Sequence, residues 1–220
     1  MRNSFAFLLL ALAAASLPAQ DASSSKPSTP MHAAVKDSHE GVTIGIDPWT
    51  QESRYKEKFP KKTPLSKGVV AIQVSFRNDN DHAVKVNLQS IRLIVQLDED
   101  NRQQLQSMSP DDVADAVMLK NNGRDPTAKR IPLPIPLPAS IPKPGRDSKW
   151  TAFRDQCQNA GIPSNVVAAH STVQGLIYFD LEGEVDLLQN AHMYFPNIVS
   201  MTDNQPLSYF DIALGHDSTE

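Results

Sequence analysis

Alternation of apolar and polar residues is the strongest pattern in this chain, and it predicts β-strands. Apolar residues occupy every second position from Val70 to Phe76, and after the polar residues 78–81 the alternation resumes over 84–88 and 91–97. This period of two is that of a strand with one buried face. Residues 70–88 therefore predict a β-hairpin or a strand pair joined by a tight corner, within an antiparallel sheet rather than βαβ units.

Further strands are predicted towards both ends of the chain. Residues 42–46 alternate up to Asp47 and Pro48, which we expect to end that strand. Residues 173–181, 190–195 and 207–214 are rich in Tyr, Phe, Ile and Leu and are separated by turn-forming residues. The sequence therefore predicts a mainly β domain, one sandwich whose sheets are completed by both ends of the chain.

Two helices are predicted between these groups of strands, within an insertion at 109–165. Ser109, Pro110 and Asp112 form the pattern of a capping box with proline in the first turn. A second helix is expected over 148–160, with Trp150, Phe153 and Cys157 on one face. Gly161 would end it.

A proline-rich segment, residues 126–144, separates the two predicted helices. In it, proline alternates with Ile131, Leu133, Ile135 and Leu137. Proline cannot donate to a sheet, so we expect this segment to be extended and to bury its aliphatic side chains by packing alone. The segment is then either an arm laid over its own domain or a partner surface formed by those four residues, for another exported protein.

The first 19 residues have the pattern of a secretory signal peptide. Arg2 precedes an apolar run that begins at Phe5, and Pro18-Ala19 offers a cleavage site. The run is shorter than the roughly 20 apolar residues that a membrane-spanning helix needs, so we expect no stable membrane insertion after cleavage. Residues 20–40 are poor in large apolar residues and predict a flexible tether before a domain at 41–215. We expect an exported protein, periplasmic or extracellular.

Charge and cysteine content narrow the expected partners. Loss of Arg2 with the signal changes the formal net charge from −4 to −5, which gives no general attraction to nucleic acid. A lysine-rich run at 53–67 is interpreted as a solvated loop with Phe59 tucked into the core, the alternative being a patch for an anionic polymer. The single cysteine, Cys157, excludes an internal disulfide.

Candidate catalytic and metal-binding residues are scattered. The six histidines are single, with no two at the spacing of paired metal ligands. Cys157 is expected to be a buried small residue rather than a nucleophile. Asp79 with Asp81, and a second cluster, are the calcium candidates, but acidic residues are also ordinary in turns. The second cluster comprises Asp180, Glu182, Glu184 and Asp186. We therefore assign no catalytic, cofactor-binding or metal-binding residue, and no cofactor.

Two segments carry a resemblance to a known group of proteins. The strands around residues 70–88 and the segment 169–180, which contains Gly175-Leu176-Ile177-Tyr178-Phe179, resemble uncharacterised exported bacterial proteins with an immunoglobulin-like β-sandwich. The resemblance implies an immunoglobulin-like antiparallel β-sandwich with a helical and proline-rich insertion. It implies no functional residue.

These observations favour a non-catalytic exported binding or assembly module. An extracytoplasmic hydrolase with a site built from distant loops is one alternative, because such a site needs no local sequence motif. A periplasmic chaperone-like subunit that covers a strand edge of a client is another. A deep pocket with convergent polar groups would favour the hydrolase, and a flat apolar patch would favour the binding module.

Overall fold

The computed structural model describes residues 33–98, 101–119 and 146–215, and in them the protein is mainly β, with three antiparallel sheets and few helices. The first six strands are β1 (Val35–His39), β2 (Val42–Trp49), β3 (Val69–Asn78), β4 (Val84–Val86), β5 (Arg92–Gln96) and β6 (Arg102–Gln106). The remaining strands are β7 (Val166–Val167), β8 (Ser171–Asp180), β9 (Ala191–Phe195), β10 (Ile198–Ser200) and β11 (Phe210–Ala213). The helices are α1 (Glu52–Tyr55), α2 (Pro110–Met118) and α3 (Ser148–Ala160), with short 3-10 helices at Leu65–Lys67, Leu88–Ser90 and Val185–Asn190.

The strands are distributed among the sheets in an order that does not follow the chain. Sheet A has the order β1-β2-β3-β8, sheet B the order β10-β4-β7, and sheet C the order β11-β9-β5-β6. The predicted hairpin at 70–88 is therefore wrong. The alternative, a tight corner, is correct, because β3 belongs to sheet A and β4 belongs to sheet B. Buried Asn78 holds this corner, because its side-chain amide donates to the carbonyl oxygens of His82, Val167 and Ala168.

The N-terminal boundary of the domain lies earlier than expected. Residues 35–39, assigned to the tether by their composition, form β1 and pair with β2 along their whole length. A polar strand is stable here because it lies at the edge of a sheet whose buried face is supplied by β2 and β3. Pro48 also does not end β2, which continues to Trp49.

Both predicted helices are confirmed. Ser109 and Asp112 form the reciprocal capping box of α2, and Pro110 lies in its first turn. α3 spans Ser148–Ala160 with Asp147 as its N-cap, and its predicted apolar face is buried.

Sheet A separates two hydrophobic clusters. On one face lies an aliphatic cluster, here named the sheet core, that residues of all three sheets share: Val42, Ile44, Ile46, Val70, Ile72, Val74, Phe76, Val84, Val86, Leu93, Val95, Ile177, Phe179, Met193, Phe195, Ile198, Phe210 and Ile212 are among its members. On the other face lies an aromatic cluster between sheet A and the helices: Trp49, Tyr55, Phe59, Val69, Ala71, Val113, Ala114, Val117, Trp150, Phe153, Cys157, Leu176 and Tyr178. Alternation along β3 and β8 assigns neighbouring residues to opposite clusters.

Glycine is required at position 175 of β8, where the end of α3 meets sheet A. Gly161, at the end of α3, forms a bridge to Leu176 of β8. A Cβ atom on the neighbouring Gly175 would lie 2.4 Å from the carbonyl carbon of Gly161. Any side chain at position 175 would therefore push the end of α3 away from the sheet.

Candidate functional site

The lysine-rich run is anchored to the domain by two buried aromatic residues. The Tyr55 hydroxyl donates to the Trp49 carbonyl oxygen at 2.8 Å and accepts from the Ala71 N–H at 2.8 Å. Phe59 is 1% exposed, as predicted, and its ring lies 5.8 Å from that of Phe153 on α3. The loop that follows Phe59 is therefore held against α3.

This arrangement forms a cavity of about 400 Å³ between the loop and the two longer helices. Three lysines surround it, Lys61 and Lys62 from the loop and Lys149 from the first turn of α3. The other lining residues are Met118, Ser148, Ala152, Phe153 and Gln156. We call this cavity the basic pocket.

The charge of the basic pocket is not balanced within the described part of the chain. Its described lining contains no carboxylate, and Lys61, Lys62 and Lys149 form no ion pair with any residue between 33 and 98, 101 and 119 or 146 and 215. Arg54, earlier in the same run, behaves differently. Its guanidinium donates to both carboxylate oxygens of Asp47, at 2.7 and 2.6 Å, and that bond raises the pKa of Arg54. Arg54 is therefore structural, whereas the three lysines have no ion-pair partner within the described ranges.

The wall formed by α2 and α3 is fixed by one carboxylate. Asp115 on α2 accepts hydrogen bonds from the Trp150 indole N–H at 2.9 Å and from Arg146 at 3.1 and 2.6 Å. The Arg146 guanidinium also lies over the Trp150 ring, 4.3 Å from its centre. These contacts set the position of the first turn of α3, and with it Lys149.

Such a pocket suits a ligand that combines an anionic group with an apolar part. Lysine ammonium groups attract a carboxylate or phosphate, and Phe153 and Met118 in the lining offer apolar contact. The pocket holds no nucleophile paired with a base among its described residues.

Cys157 does not supply a nucleophile. It is fully buried in the aromatic cluster, and burial raises the pKa of its thiol to about 12. The thiol is therefore protonated at neutral pH.

Three histidines that the structure describes pair with aspartates. His39 contacts Asp37 at 2.9 Å, His170 contacts Asp81 at 2.8 Å, and His192 contacts Asp211. Within the described ranges, none of these imidazoles has a hydrogen bond to a Ser, Thr or Cys side chain. The pairs therefore lack the third member of a nucleophile–base–acid arrangement.

The acidic clusters do not converge. Asp79 pairs with Arg77 at 2.9 Å, and Asp81 is occupied by His170. Asp180 accepts the Glu182 N–H at 3.0 Å as part of a turn. In the described part of the chain no three His, Cys, Asp or Glu side chains form a group that would hold a metal ion.

A second cavity, of about 330 Å³, lies near the ends of the described chain. Asp47, Pro48 and Leu188 are among its lining residues. Its most buried charged group, Asp47, is already paired with Arg54. This cavity therefore offers less to a ligand than the basic pocket.

The sequence-based interpretation missed the basic pocket. The residues proposed as a partner surface, Ile131, Leu133, Ile135 and Leu137, lie outside the described residues. The lysine run was identified, but its convergence with Lys149 was not, since Lys149 belongs to a helix far along the chain. The only signal available was a lysine in the first turn of α3, where basic residues oppose the helix dipole and are therefore unusual.

Comparison with known proteins adds no function. No family model matches the chain, and no curated protein matches it. Among solved structures, a functionally unknown protein from Listeria monocytogenes EGD-e aligns over 83% of this chain and 82% of its own, at 11% identity and a TM-score of 0.38. A protein of Bordetella pertussis provisionally designated ApaA aligns over 84% and 97%, at 13% identity and a TM-score of 0.35. Similarity at this level assigns neither a family nor an activity.

The helices that the structure describes are too short or too polar to cross a membrane.

Proposed function

We propose that this protein is a non-catalytic binding module that acts outside the cytoplasm and takes an amphipathic anion in the basic pocket. The observation that carries the proposal is the convergence of three lysines without ion-pair partners in the described chain on a cavity with an apolar wall. Export is supported by the apolar run after Arg2 and the cleavage site at Ala19.

We further propose that the scaffold is an immunoglobulin-like β-sandwich, in keeping with the resemblance to exported bacterial proteins. Sheets A and C contribute side chains to one sheet core, and the rings of Phe76 from sheet A and Phe195 from sheet C meet edge to face at 5.8 Å. Two antiparallel sheets that share a core in this way are typical of a sandwich. Under this proposal the helices lie outside the sandwich and hold the basic pocket against sheet A.

The binding module is favoured over the hydrolase because the described lining of the pocket has charge but no hydroxyl or thiol paired with a base. A hydrolase that forms a covalent intermediate would need an activated Ser, Thr or Cys beside the ligand, and Cys157, the one thiol, is buried and protonated. A hydrolase that activates water directly would need a carboxylate or a metal ion, and the described lining of the pocket contains no carboxylate. The pocket therefore supports recognition, through ammonium groups and apolar contact.

The test is calorimetric titration of the exported protein with dodecanoate, below its micellar concentration. We expect saturable binding that weakens at high salt, because the lysines are exposed and their attraction is screened. Inorganic phosphate tests the anionic group alone, and dodecyltrimethylammonium tests the apolar chain with the charge reversed. Both should bind more weakly than dodecanoate.

A matched pair of variants identifies the site. Replacing Lys61, Lys62 and Lys149 with Gln should weaken binding by about threefold to a hundredfold, since each exposed ion pair contributes roughly 0.2 to 1 kcal/mol. Replacing Lys56, Lys58 and Lys67 with Gln removes the same charge from exposed positions that do not line the pocket. Equal loss in both variants would mean nonspecific attraction and would contradict the proposal.

The proline-rich segment remains a second proposed partner surface, supported by sequence alone. Ile131, Leu133, Ile135 and Leu137 are four aliphatic side chains that need a partner surface, within the domain or on another exported protein. Replacing all four with Ser and measuring both melting temperature and association separates these cases. No change in either measurement would reject the segment as a contact surface.

A further inference from the structure

β6 is an edge strand of sheet C whose outer edge is open in the described part of the chain. It pairs with β5 on one side, and no described strand pairs with its other side. Arg102, Gln103, Gln104 and Gln106 are all exposed. Contacts are described near two other edges: Ser208, before β11, donates to the side chain of Glu40, next to β1, and β8 forms isolated bridges with Gly161 and Met108.

The hydrogen-bond pattern of sheet C shows which groups of β6 point outward. The Leu97 N–H donates to the Asn101 carbonyl at 2.9 Å, which makes these residues a hydrogen-bonded pair of the β5–β6 ladder. Such pairs alternate along an antiparallel ladder, so Gln103 and Leu105 bond to β5. The N–H and C=O groups of Arg102, Gln104 and Gln106 therefore point away from the sheet.

A contact just beyond β6 supports the same assignment. Met108 lies two residues after Gln106 and four after Gln104, so its N–H points to the same side of the strand as theirs. It donates to the Tyr178 carbonyl of β8 at 2.8 Å. Sheets A and C meet at this point. Earlier along β6, the outward groups have no described partner.

The composition of β6 gives this edge little protection. Natural edge strands are usually blocked by short length, charged side chains, proline or a bulge. β6 reads Arg-Gln-Gln-Leu-Gln, with Arg102 as its one charged residue and without proline, and its five residues are in unbroken register with β5.

We infer that β6 is a self-association surface, where two copies of this chain pair antiparallel about a two-fold axis through Gln104. In that register Gln104 faces Gln104 of the second copy, and Arg102 faces Gln106. These are the residues whose backbone groups point outward, so each donates one N–H and accepts at one C=O across the interface. No like charges lie directly opposite, and sheet C continues from one copy into the other.

A second copy is favoured over an unrelated peptide because the strand is complementary to itself. Its polar side chains pair amide with amide and guanidinium with amide, and its one apolar residue, Leu105, faces Gln103. An unrelated peptide would have no such fixed register. The basic pocket is formed by other elements, so this inference does not depend on the proposed ligand.

The test is sedimentation velocity of the exported protein over a concentration series. We expect a monomer–dimer equilibrium for the wild type. Q104K should be monomeric, because it places two ammonium groups opposite each other at the axis. Q104E should also be monomeric, because it places two carboxylates there. Mixing Q104K with Q104E should restore the dimer, since opposite charges then meet at the axis.

Q103K is the matched control, because residue 103 lies on the same strand but on its other face and opposite Leu105 of the second copy. It should leave dimerisation unchanged within about threefold, a small effect on the scale of interface energies. Circular dichroism melting of each variant checks that it is folded. A wild type that stays monomeric at every concentration overturns the inference, and so does a dimer that Q104K does not weaken. Failure of the Q104K and Q104E mixture to dimerise also overturns it.

Discussion

The two faces of sheet A bury very different chemistry. The sheet core is largely aliphatic and comes from strands that alternate regularly. The aromatic cluster on the other face includes both tryptophans of the chain, two buried tyrosines and its only cysteine. The sheet core holds the sheets together, whereas the aromatic cluster supports the basic pocket through Phe59 and Phe153. Under the proposed function, the ligand site therefore depends on only one of the two faces of sheet A.

The largest expected effect comes from truncating one aromatic residue in each cluster. Phe76→Ala in the sheet core and Phe59→Ala in the aromatic cluster should each lower the free energy of unfolding by about 3 to 5 kcal/mol, because both side chains are fully buried. Denaturant titration measures this. Dodecanoate affinity should fall only in Phe59→Ala, since Phe59 supports the pocket wall.

Tyr209→Ala is the control for this pair. Tyr209 is 61% exposed, and its loss should change the free energy of unfolding by no more than about 0.5 kcal/mol. Loss of dodecanoate affinity in the folded fraction of Phe76→Ala would contradict the division of roles between the two faces.

Alkaline pH should destabilise the aromatic cluster. Burial raises the pKa of Tyr55 and of Cys157 to about 12, and raises that of Tyr178 as well. The unfolded chain loses these protons near ordinary values of about 8.5 for Cys and 10 for Tyr, so it binds fewer protons than the folded state above those values. The stabilisation is therefore complete below about pH 8.5 and is lost as pH rises towards 12.

Both tryptophans report this transition, because Trp49 and Trp150 lie in the aromatic cluster. Each unit of pKa shift corresponds to about 1.4 kcal/mol, so denaturant midpoints followed by Trp fluorescence should fall steeply above about pH 9. Cys157→Ala should flatten the first part of that decline. A midpoint that does not change between pH 8 and pH 11 would contradict the burial of these groups.

A smaller effect on the free energy of unfolding is expected from replacing Asp115, the carboxylate that joins α2 to α3. Asp115→Asn removes the charge that pairs with Arg146 but keeps an acceptor for the Trp150 indole. Hydrogen bonds to charged groups are stronger than those between neutral groups, so the free energy of unfolding should fall by more than an exposed ion pair contributes. Dodecanoate affinity should fall with it, because Lys149 would lose its fixed position.

Asp155→Asn is the matched control, since Asp155 pairs with Arg154 on the same helix but its side chain is 52% exposed. Exposed pairs contribute little, so we expect a change below about 0.5 kcal/mol and unchanged binding. Equal destabilisation by both substitutions would mean that Asp115 has no special role in the helix pair.

Several features of this protein were determined by the sequence alone. The bounds of α3, the capping box at Ser109, and the burial of Phe59 and Cys157 follow from local patterns, and the structure has each of them. These predictions succeed because capping and helical periodicity act within a few residues. Alternation likewise marks which residues of β3 share a face.

Only the tertiary structure decided which strands are neighbours. The alternating pattern shows which face of the sheet a side chain lies on, but it does not depend on which strand pairs with it. The pattern therefore could not distinguish the corner at Asn78 from a hairpin. The same limit hid β1, whose polar residues form a strand because β2 is present as a template. The basic pocket depends on this assembly too. Lys61 and Lys149 are brought together by the contact of Phe59 with Phe153, a packing interaction between distant segments that leaves no local pattern in the sequence.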